Sequence, residues 1–253
     1  APYKTPQSEV KDFVRQLFSN SREDIERMVS VFDNSMIELR HFTQPREWAS
    51  QTHSFKERNE LYVKNACILS ALAINDCIKK INAELSDFDH IIFISSTGIS
   101  TPSIDALLIN ELKLNQHVKR TPIWGLGCVG GAVGLSRAFE YTRAFPKGAA
   151  IVIAVELCSL TFQRDDDSKS NIIATAIFSD GAAAALVVGR ENKLFHNKGI
   201  NLIDSLSTTY YDSLDVMGWE VVDNGLKVIF SKDIPTIVRK CVRPNISELT
   251  QKH

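Results

Sequence analysis

Residues 123–135 have the sequence IWGLGCVGGAVGL, in which a short apolar run precedes Cys128 and three glycines follow it closely. This pattern predicts a strand that leads into the first turn of a helix. Each glycine costs a helix about 1 kcal/mol relative to alanine, so the glycines indicate a helix that must approach another element closely. Backbone N–H groups without partners at a helix start favour a thiolate over a thiol. We therefore expect Cys128 to be a nucleophile.

Strand-like and helix-like segments alternate on both sides of residues 123–135. Apolar runs that predict strands lie at residues 91–95, 122–126, 149–155 and 182–188, and the uniformly apolar run 149–155 predicts a strand covered on both faces. Helical spacing of apolar residues predicts helices between them, at 102–114 and 128–145. Such alternation predicts an α/β fold, with a mostly parallel sheet between helices.

The pattern restarts after Arg190, with strand-like runs at residues 199–206 and 225–230 and a helical run at 234–242. We therefore predict a first domain over residues 1–197 and the beginning of a second over residues 198–253. On this interpretation the remainder of the second domain is not in the chain, and we expect the sequence to be a fragment.

Composition excludes several classes of function. The chain has 253 residues, of which 44% are hydrophobic and 23% charged, and its net charge of −1 argues against nucleic acid as the main partner. Its longest uninterrupted apolar stretches are shorter than the roughly 20 residues that span a bilayer, so we expect no membrane span and no signal peptide. The five cysteines lack the spacing of a disulfide framework or a structural zinc site, which fits a reducing cytoplasm.

Four further segments carry a family resemblance together with GLGCVGGAVGLSRA, residues 125–138. They are SSTGISTP at residues 95–102, VELCSLTF at 155–162, AIFSDGAAA at 176–184 and, more weakly, GLKVIF at 225–230. In this order they resemble type III polyketide synthases, the chalcone synthase-like branch of the thiolase superfamily, and among these the bacterial members that make alkylpyrones. The resemblance implies a thiolase fold of layered mixed sheets and helices in two similar halves, with only the first half and the start of the second present.

The resemblance also implies an activity. In the family the cysteine matched by Cys128 accepts an acyl starter from coenzyme A, and malonyl-CoA is then decarboxylated and condensed onto it. The backbone N–H of Cys128 would help to hold the developing oxyanion. Acyl-CoA and malonyl-CoA are thus the expected partners, with no tightly bound cofactor and no metal, and the family's pairing of halves implies a homodimer.

Several other residues match functional positions of the family. Phe178 matches a phenylalanine that gates the passage between the coenzyme A tunnel and the cavity and excludes water; from the sequence alone it would be a core aromatic. Thr97, Cys158 and Thr161 match cavity-lining residues, and Met217, Trp219 and Val228 are less certain matches to such positions. Thr101 falls where the family reaches across a dimer interface. Arg40 falls where the family binds the coenzyme A phosphates, with an ordinary surface arginine as the alternative.

One departure from the family concerns mechanism. The family's catalytic His lies in a His-Pro-Gly-Gly-like motif, and none of the six histidines of this sequence has that context. We therefore expect the chain by itself not to condense malonyl-CoA. The alternatives are a ketoacyl-acyl carrier protein synthase of the same fold and a non-catalytic dimerising fragment. A nucleophile elbow of the α/β-hydrolase type is excluded because position 126 is leucine, and the run Asp165-Asp166-Asp167 is expected to be a solvated loop.

Overall fold

The computed structural model describes residues 1–196 and 199–251. The chain divides into two compact units. Unit 1 consists of Ala1–Tyr62, Glu156–Gly181 and Tyr210–Val238, and unit 2 of Val63–Val155, Ala182–Thr209 and Arg239–His253. The boundary expected between residues 197 and 198 falls on Asn197 and Lys198, which lie outside the described residues, so that division stays a prediction.

The helices of the described chain are α1 (Gln7–Phe18), α2 (Ile25–Asn34), α3 (Arg46–Ala49), α4 (Phe55–Lys80), α5 (Ile104–Leu112), α6 (Gly130–Ala144), α7 (Lys169–Ile177) and α8 (Ile234–Thr250). The strands are β1 (Tyr3–Pro6), β2 (Leu39–Phe42), β3 (His90–Ile94), β4 (Lys119–Ile123), β5 (Ala149–Leu157), β6 (Asp180–Val188), β7 (Met217–Val222) and β8 (Gly225–Phe230). The alternation of strands and helices confirms the predicted α/β class.

The sheet of unit 2 has the strand order β4-β3-β5-β6, and β3 pairs in parallel with both β4 and β5. Every residue of the central strand β3 is buried, as its uninterrupted apolar run predicts. The edge strands differ, since β4 and β6 mix exposed with partly buried residues. Seven of the nine residues of β5 are buried as well, so the prediction that the run 149–155 is covered on both faces is confirmed.

Helix α6 packs on this sheet through its glycines. A Cβ at Gly130 would lie 2.5 Å from Cγ2 of Ile94, and one at Gly134 would lie 2.5 Å from Cδ1 of Ile94 and 2.9 Å from Cγ1 of Val152. These separations are too short for carbon atoms in contact, so only glycine allows the approach. Gly131 faces open space. The predicted close approach is thus confirmed, and two of the three glycines bring it about.

Unit 1 has a hydrophobic core of its own. Helices α1, α2 and α7 share it, with Val10, Val14, Phe18, Ile25, Met28, Val29, Phe32, Ile172 and Ala176 buried. Strands β1 and β2 pair antiparallel, with Thr5 opposite Arg40. Strands β7 and β8 form a second antiparallel pair in which Trp219 lies opposite Val228, and α7 contacts β8.

The strand expected at residues 199–206 does not form. This segment has no regular secondary structure, and its apolar side chains include Ile200 and Ile203, which are 97% and 66% exposed. A strand needs a neighbour for its backbone hydrogen bonds, and no partner strand pairs with these residues in the described chain. The strand predicted from this apolar run is therefore wrong, because the run has no partner strand in the described chain.

Helix α4 is long and apolar enough to cross a membrane when judged by length and composition alone. This is weak evidence, because core helices of proteins outside membranes pass the same test. Lys64 and Asp76 lie within it, and charged groups are unfavourable at the centre of a bilayer. The absence of a membrane span stays a prediction.

The packing of α6 generates a first prediction. Gly134→Ala should lower the free energy of unfolding by about 1–2 kcal/mol, because overpacking against Ile94 and Val152 outweighs the gain in helix propensity. The matched control Gly131→Ala should raise it by up to about 1 kcal/mol, since its Cβ meets nothing. Urea unfolding measures both. Equal stabilisation by the two substitutions would show that α6 does not need glycine to approach the sheet.

Candidate functional site

Cys128 lies on a 3₁₀ turn, Gly127–Val129, between β4 and the start of α6. Its residue is exposed. Gly125 and Gly127, on its N-terminal side, have φ angles of +86° and +51°, a region that glycine enters without steric penalty. The predicted strand, turn and helix are therefore present, with a tight turn placing the thiol immediately before the helix rather than on its first α-helical residue.

A hydrogen bond connects this turn to the segment that carries Thr97. Nε1 of Trp124 donates to the carbonyl oxygen of Gly98 at 3.0 Å. Thr97 is buried at 4% exposure and Thr101 is exposed. Within unit 2 the structure thus joins two of the segments on which the family resemblance depends, and it leaves Thr101 accessible.

Unit 1 contains a cavity with largely apolar walls. Its lining residues are Thr5, Val10, Phe13, Arg40, Phe42, Gln44, Pro45, Arg46, Trp48, Ala49, Cys158, Ser159, Thr161, Phe162, Asn171, Ala174, Thr175, Phe178, Trp219 and Val228. Cys158, Thr161, Phe178, Trp219, Val228 and Arg40 were predicted as site residues, and the fold brings them together around this one space. Met217 differs, since it lies 44% exposed on β7.

Phe178 lies at the C-terminal end of α7. Its backbone N–H donates to the carbonyl oxygen of Ala174 at 2.8 Å, which ends the helix in a defined direction. Its ring meets that of Phe230 edge to face, with centroids 6.3 Å apart, an arrangement that stabilises aromatic pairs. The side chain is therefore held by two elements and forms part of the cavity wall.

Cys158 and Thr161 lie at the two ends of a 3₁₀ turn that follows β5. Oγ1 of Thr161 donates to the carbonyl oxygen of Cys158 at 2.8 Å, so its hydroxyl is engaged within the turn. Thr161 is buried and Cys158 is partly exposed. The Cys158 thiol therefore lies on the cavity wall, whereas the Thr161 hydroxyl is hydrogen-bonded to the backbone of the same turn.

Arg40 is only 2% exposed, so the alternative of an ordinary surface arginine is wrong. Its Nη1 donates to Oε1 of Gln7 at 3.2 Å and to the carbonyl oxygen of Thr175 at 2.8 Å. Burial lowers the pKa of Arg40 to about 10, against the opposing attraction of Asp180 and Cys158. The guanidinium therefore remains charged at neutral pH, inside the protein. Its role in binding coenzyme A phosphates stays a prediction.

Asp180 organises the cavity wall, and the sequence analysis did not find it. Its carboxylate accepts from the backbone N–H and Oγ1 of Thr43, at 2.7 and 2.9 Å, and from the backbone N–H of Ser159 at 2.7 Å, as well as from the Ser159 hydroxyl. Ser179-Asp180-Gly181 suggests a turn, yet Asp180 is buried at 4% exposure and begins β6. The position of this acidic residue between two apolar runs was the sequence feature that could have indicated its burial.

Burial raises the pKa of Asp180, and the hydrogen bonds from Ser159 and Thr43 oppose that rise. The carboxylate connects the segment after β2 to the 3₁₀ turn that carries Cys158. Its role is to hold the cavity wall in place. No group of three or more His, Cys, Asp or Glu side chains that could hold a metal ion occurs within residues 1–196 and 199–251.

Several known proteins are similar to this chain in sequence. The family model for the N-terminal domain of chalcone and stilbene synthases matches residues 4–191. A putative chalcone synthase of Bacillus subtilis (strain 168) is 43% identical over 259 residues, which cover 99% of this chain and 71% of the relative. The 1,3,6,8-tetrahydroxynaphthalene synthase of Streptomyces peucetius subsp. caesius is 30% identical, with 94% of this chain and 63% of the relative covered.

A solved structure shares the fold. The crystal structure of 1,3,6,8-tetrahydroxynaphthalene synthase from Streptomyces coelicolor A3(2), a bacterial type III polyketide synthase, superposes with a TM-score of 0.92 at 27% identity. The superposition covers 99% of this chain and 70% of that one. The chain thus spans about two thirds of the length of the proteins it matches, and its mixed α/β architecture is the thiolase fold of these synthases.

The network around Asp180 generates a second prediction. Asp180→Asn should lower the free energy of unfolding by about 1–3 kcal/mol, because an amide nitrogen cannot accept from Thr43 and leaves a buried donor without a partner. The matched control Asp165→Asn removes a carboxylate that is 67% exposed and pairs with Arg164 at the surface, which should change stability by less than about 1 kcal/mol. Chemical denaturation compares the two, and losses of equal size would contradict the role given to Asp180.

The same carboxyl predicts a dependence on pH. Because burial raises the pKa of Asp180 in the folded state, its contribution to stability is fully present below the carboxyl pKa of the unfolded chain. That contribution is lost as the pH rises through the folded-state pKa. The stability difference between wild type and Asp180→Asn should therefore shrink as the pH rises above about 4, the usual pKa of an Asp carboxyl in an unfolded chain. A difference that grows over this range would show that the hydrogen bonds outweigh burial.

Proposed function

The chain belongs to the chalcone and stilbene synthase family, and on that premise we propose that it carries the acyl-loading part of a type III polyketide synthase. In this proposal Cys128 accepts an acyl starter from coenzyme A, and malonyl-CoA extends it to products such as alkylpyrones. The observation that carries the proposal is the exposed thiol of Cys128 on a glycine-flanked turn at the start of α6, within a segment that the family model covers.

The loading step is a thioester exchange. The Cys128 thiolate attacks the carbonyl carbon of the acyl-CoA, and the oxygen becomes an oxyanion near backbone N–H groups of the turn. Collapse of this intermediate breaks the bond to the sulfur of coenzyme A, which leaves as a thiolate and takes a proton from solvent. One thioester replaces another, so the acyl group keeps its electrophilic carbonyl.

We propose that the cavity of unit 1 binds the apolar part of the substrate. Phe178, Trp219 and Val228 supply apolar wall, and such walls exclude the water that would hydrolyse a thioester or protonate an enolate. Cys158 and Thr161 lie on the same wall. Met217, which is exposed, and Thr97, which is buried in unit 2, remain proposed contacts through the resemblance alone.

We propose that the chain forms a homodimer. The exposed position of Thr101 supports a contact across the dimer interface.

Condensation is a separate part of the proposal. The sequence lacks a His-Pro-Gly-Gly motif, and in the family the histidine of that motif takes part in catalysis. We therefore expect the 253-residue chain to load a starter and not to condense malonyl-CoA.

A direct test loads the chain with octanoyl-CoA. Intact-mass analysis should show one octanoyl adduct, and peptide mapping should place it on Cys128, because this thiol is exposed on the turn before α6. The adduct should disappear in Cys128→Ser. Release of free coenzyme A in equal amount confirms the exchange.

Cys67 is the matched control. It is 9% exposed, and burial raises the pKa of its thiol to about 11, so Cys67→Ser should leave acylation unchanged. Acylation that persists in Cys128→Ser would refute the loading role. So would the absence of any octanoyl adduct on the wild-type chain. Pyrone products from the chain incubated with malonyl-CoA would overturn the expectation that it cannot condense.

A further inference from the structure

The cavity of unit 1 is lined by a buried cation, Arg40, that forms no ion pair with any residue the structure describes. Both hydrogen bonds of the Arg40 guanidinium leave from Nη1 and end on the neutral oxygens of Gln7 and Thr175. Its Nε is buried and has no hydrogen-bond partner. A guanidinium has five N–H donors, so much of its capacity to bind an acceptor is unused. Because Arg40 also lines the cavity, its positive charge lies at the cavity wall.

No carboxylate neutralises this charge within residues 1–196 and 199–251, where Arg40 takes part in no ion pair. Asp180 attracts it electrostatically, but the oxygens of Asp180 accept from Thr43 and Ser159 instead. Burying a charge without a partner is strongly unfavourable. An anion in the cavity would offset this cost, and no acidic residue is among the described residues that line the cavity.

A second arginine on the cavity wall behaves differently. Arg46 is 45% exposed, and its guanidinium lies 3.5 Å from Glu9 and 3.7 Å from Glu47. Its charge is therefore both hydrated and paired. Of the two arginines that line the cavity, Arg40 is the one whose charge requires a ligand.

The remaining walls indicate what else the ligand contains. Aromatic rings dominate them, contributed by Phe13, Phe42, Trp48, Phe162, Phe178 and Trp219. The Arg40 guanidinium itself lies over the ring of Phe42, 5.3 Å from its centroid. One cation at an apolar wall suits a single small anion attached to an apolar body. The phosphates of coenzyme A carry several negative charges and retain bound water. A largely apolar wall with one buried cation provides too few charged and polar partners for them.

We propose that the unit 1 cavity binds an apolar molecule that ends in a carboxylate, with the carboxylate at Arg40 and the apolar body against the aromatic rings. The inference rests on the proposed function for the nature of that body, an acyl or polyketide chain with a free carboxyl group. Carboxylate is the anion that a guanidinium pairs with through short, charge-assisted hydrogen bonds. Binding neutralises the charge of Arg40.

The test compares octanoate with octan-1-ol, which has the same tail and no charge. Each is titrated into the 253-residue chain, and fluorescence follows Trp48 and Trp219 on the cavity wall. Octanoate should bind about ten- to hundred-fold more tightly than the alcohol, because a charge-assisted hydrogen bond to a desolvated cation discriminates by that factor. Equal affinities would overturn the proposal without any variant.

Two variants identify the anchor. Arg40→Gln keeps a donor for the Thr175 carbonyl and removes the charge, so it should bring octanoate to the affinity of the alcohol and leave the alcohol unchanged. The matched control Arg46→Gln should change octanoate affinity less than about two-fold, because an exposed, paired charge contributes little. Loss in Arg46→Gln alone would overturn the assignment. If Arg40→Gln does not fold, the comparison of the two ligands on wild type still decides.

A third ligand separates this site from the predicted phosphate contact. Adenosine 3′,5′-bisphosphate carries the charges of the coenzyme A nucleotide without an acyl tail, and it should not compete with octanoate. Competition that Arg40→Gln abolishes would overturn the carboxylate assignment in favour of the nucleotide. The outcome is independent of Cys128: acylation without carboxylate selectivity refutes this inference alone, and selectivity without acylation refutes the loading role.

Discussion

The contact between α6 and the sheet of unit 2 is the constraint on which the position of the nucleophile depends. Two glycines one helical turn apart, Gly130 and Gly134, allow the helix backbone to lie where any Cβ would overlap the side chains of Ile94 and Val152. Because the helix begins at Gly130, this contact also sets the position of the turn before it. Cys128 is therefore held by packing that begins two residues away.

A different interaction organises unit 1. The Asp180 carboxylate receives backbone and side-chain donors from Thr43 and Ser159, so one buried acid joins two loops that no strand pairing connects. A fully satisfied polar network of this kind specifies a single arrangement of the chain. Arg40 lies in the same unit with its charge unpaired. Asp180 thus stabilises the cavity wall, and the charge of Arg40 is available to a ligand in the cavity.

Much of the site could be predicted from the sequence because local features carry it. Glycines around Cys128 have local conformational consequences, and the ordered segments that resemble the family led to Phe178, Cys158 and Thr161. Burial of Arg40 and the network of Asp180 could not be predicted in this way, since both depend on residues more than 100 positions away in the chain. The expected strand at 199–206 failed for a related reason, because strand formation depends on a partner.

Neighbouring residues were enough to predict the α/β class, the strand, turn and helix around Cys128, and the family. These follow from periodicity, glycine placement and motif order, which are properties of neighbouring residues. Three other features come from the folded structure: Gly130 and Gly134 rather than Gly131 make the helix contact, Asp180 is a buried acceptor, and Arg40 is a cavity cation. Each depends on which distant atoms come within a few ångströms, and that is fixed by the packing of the whole chain.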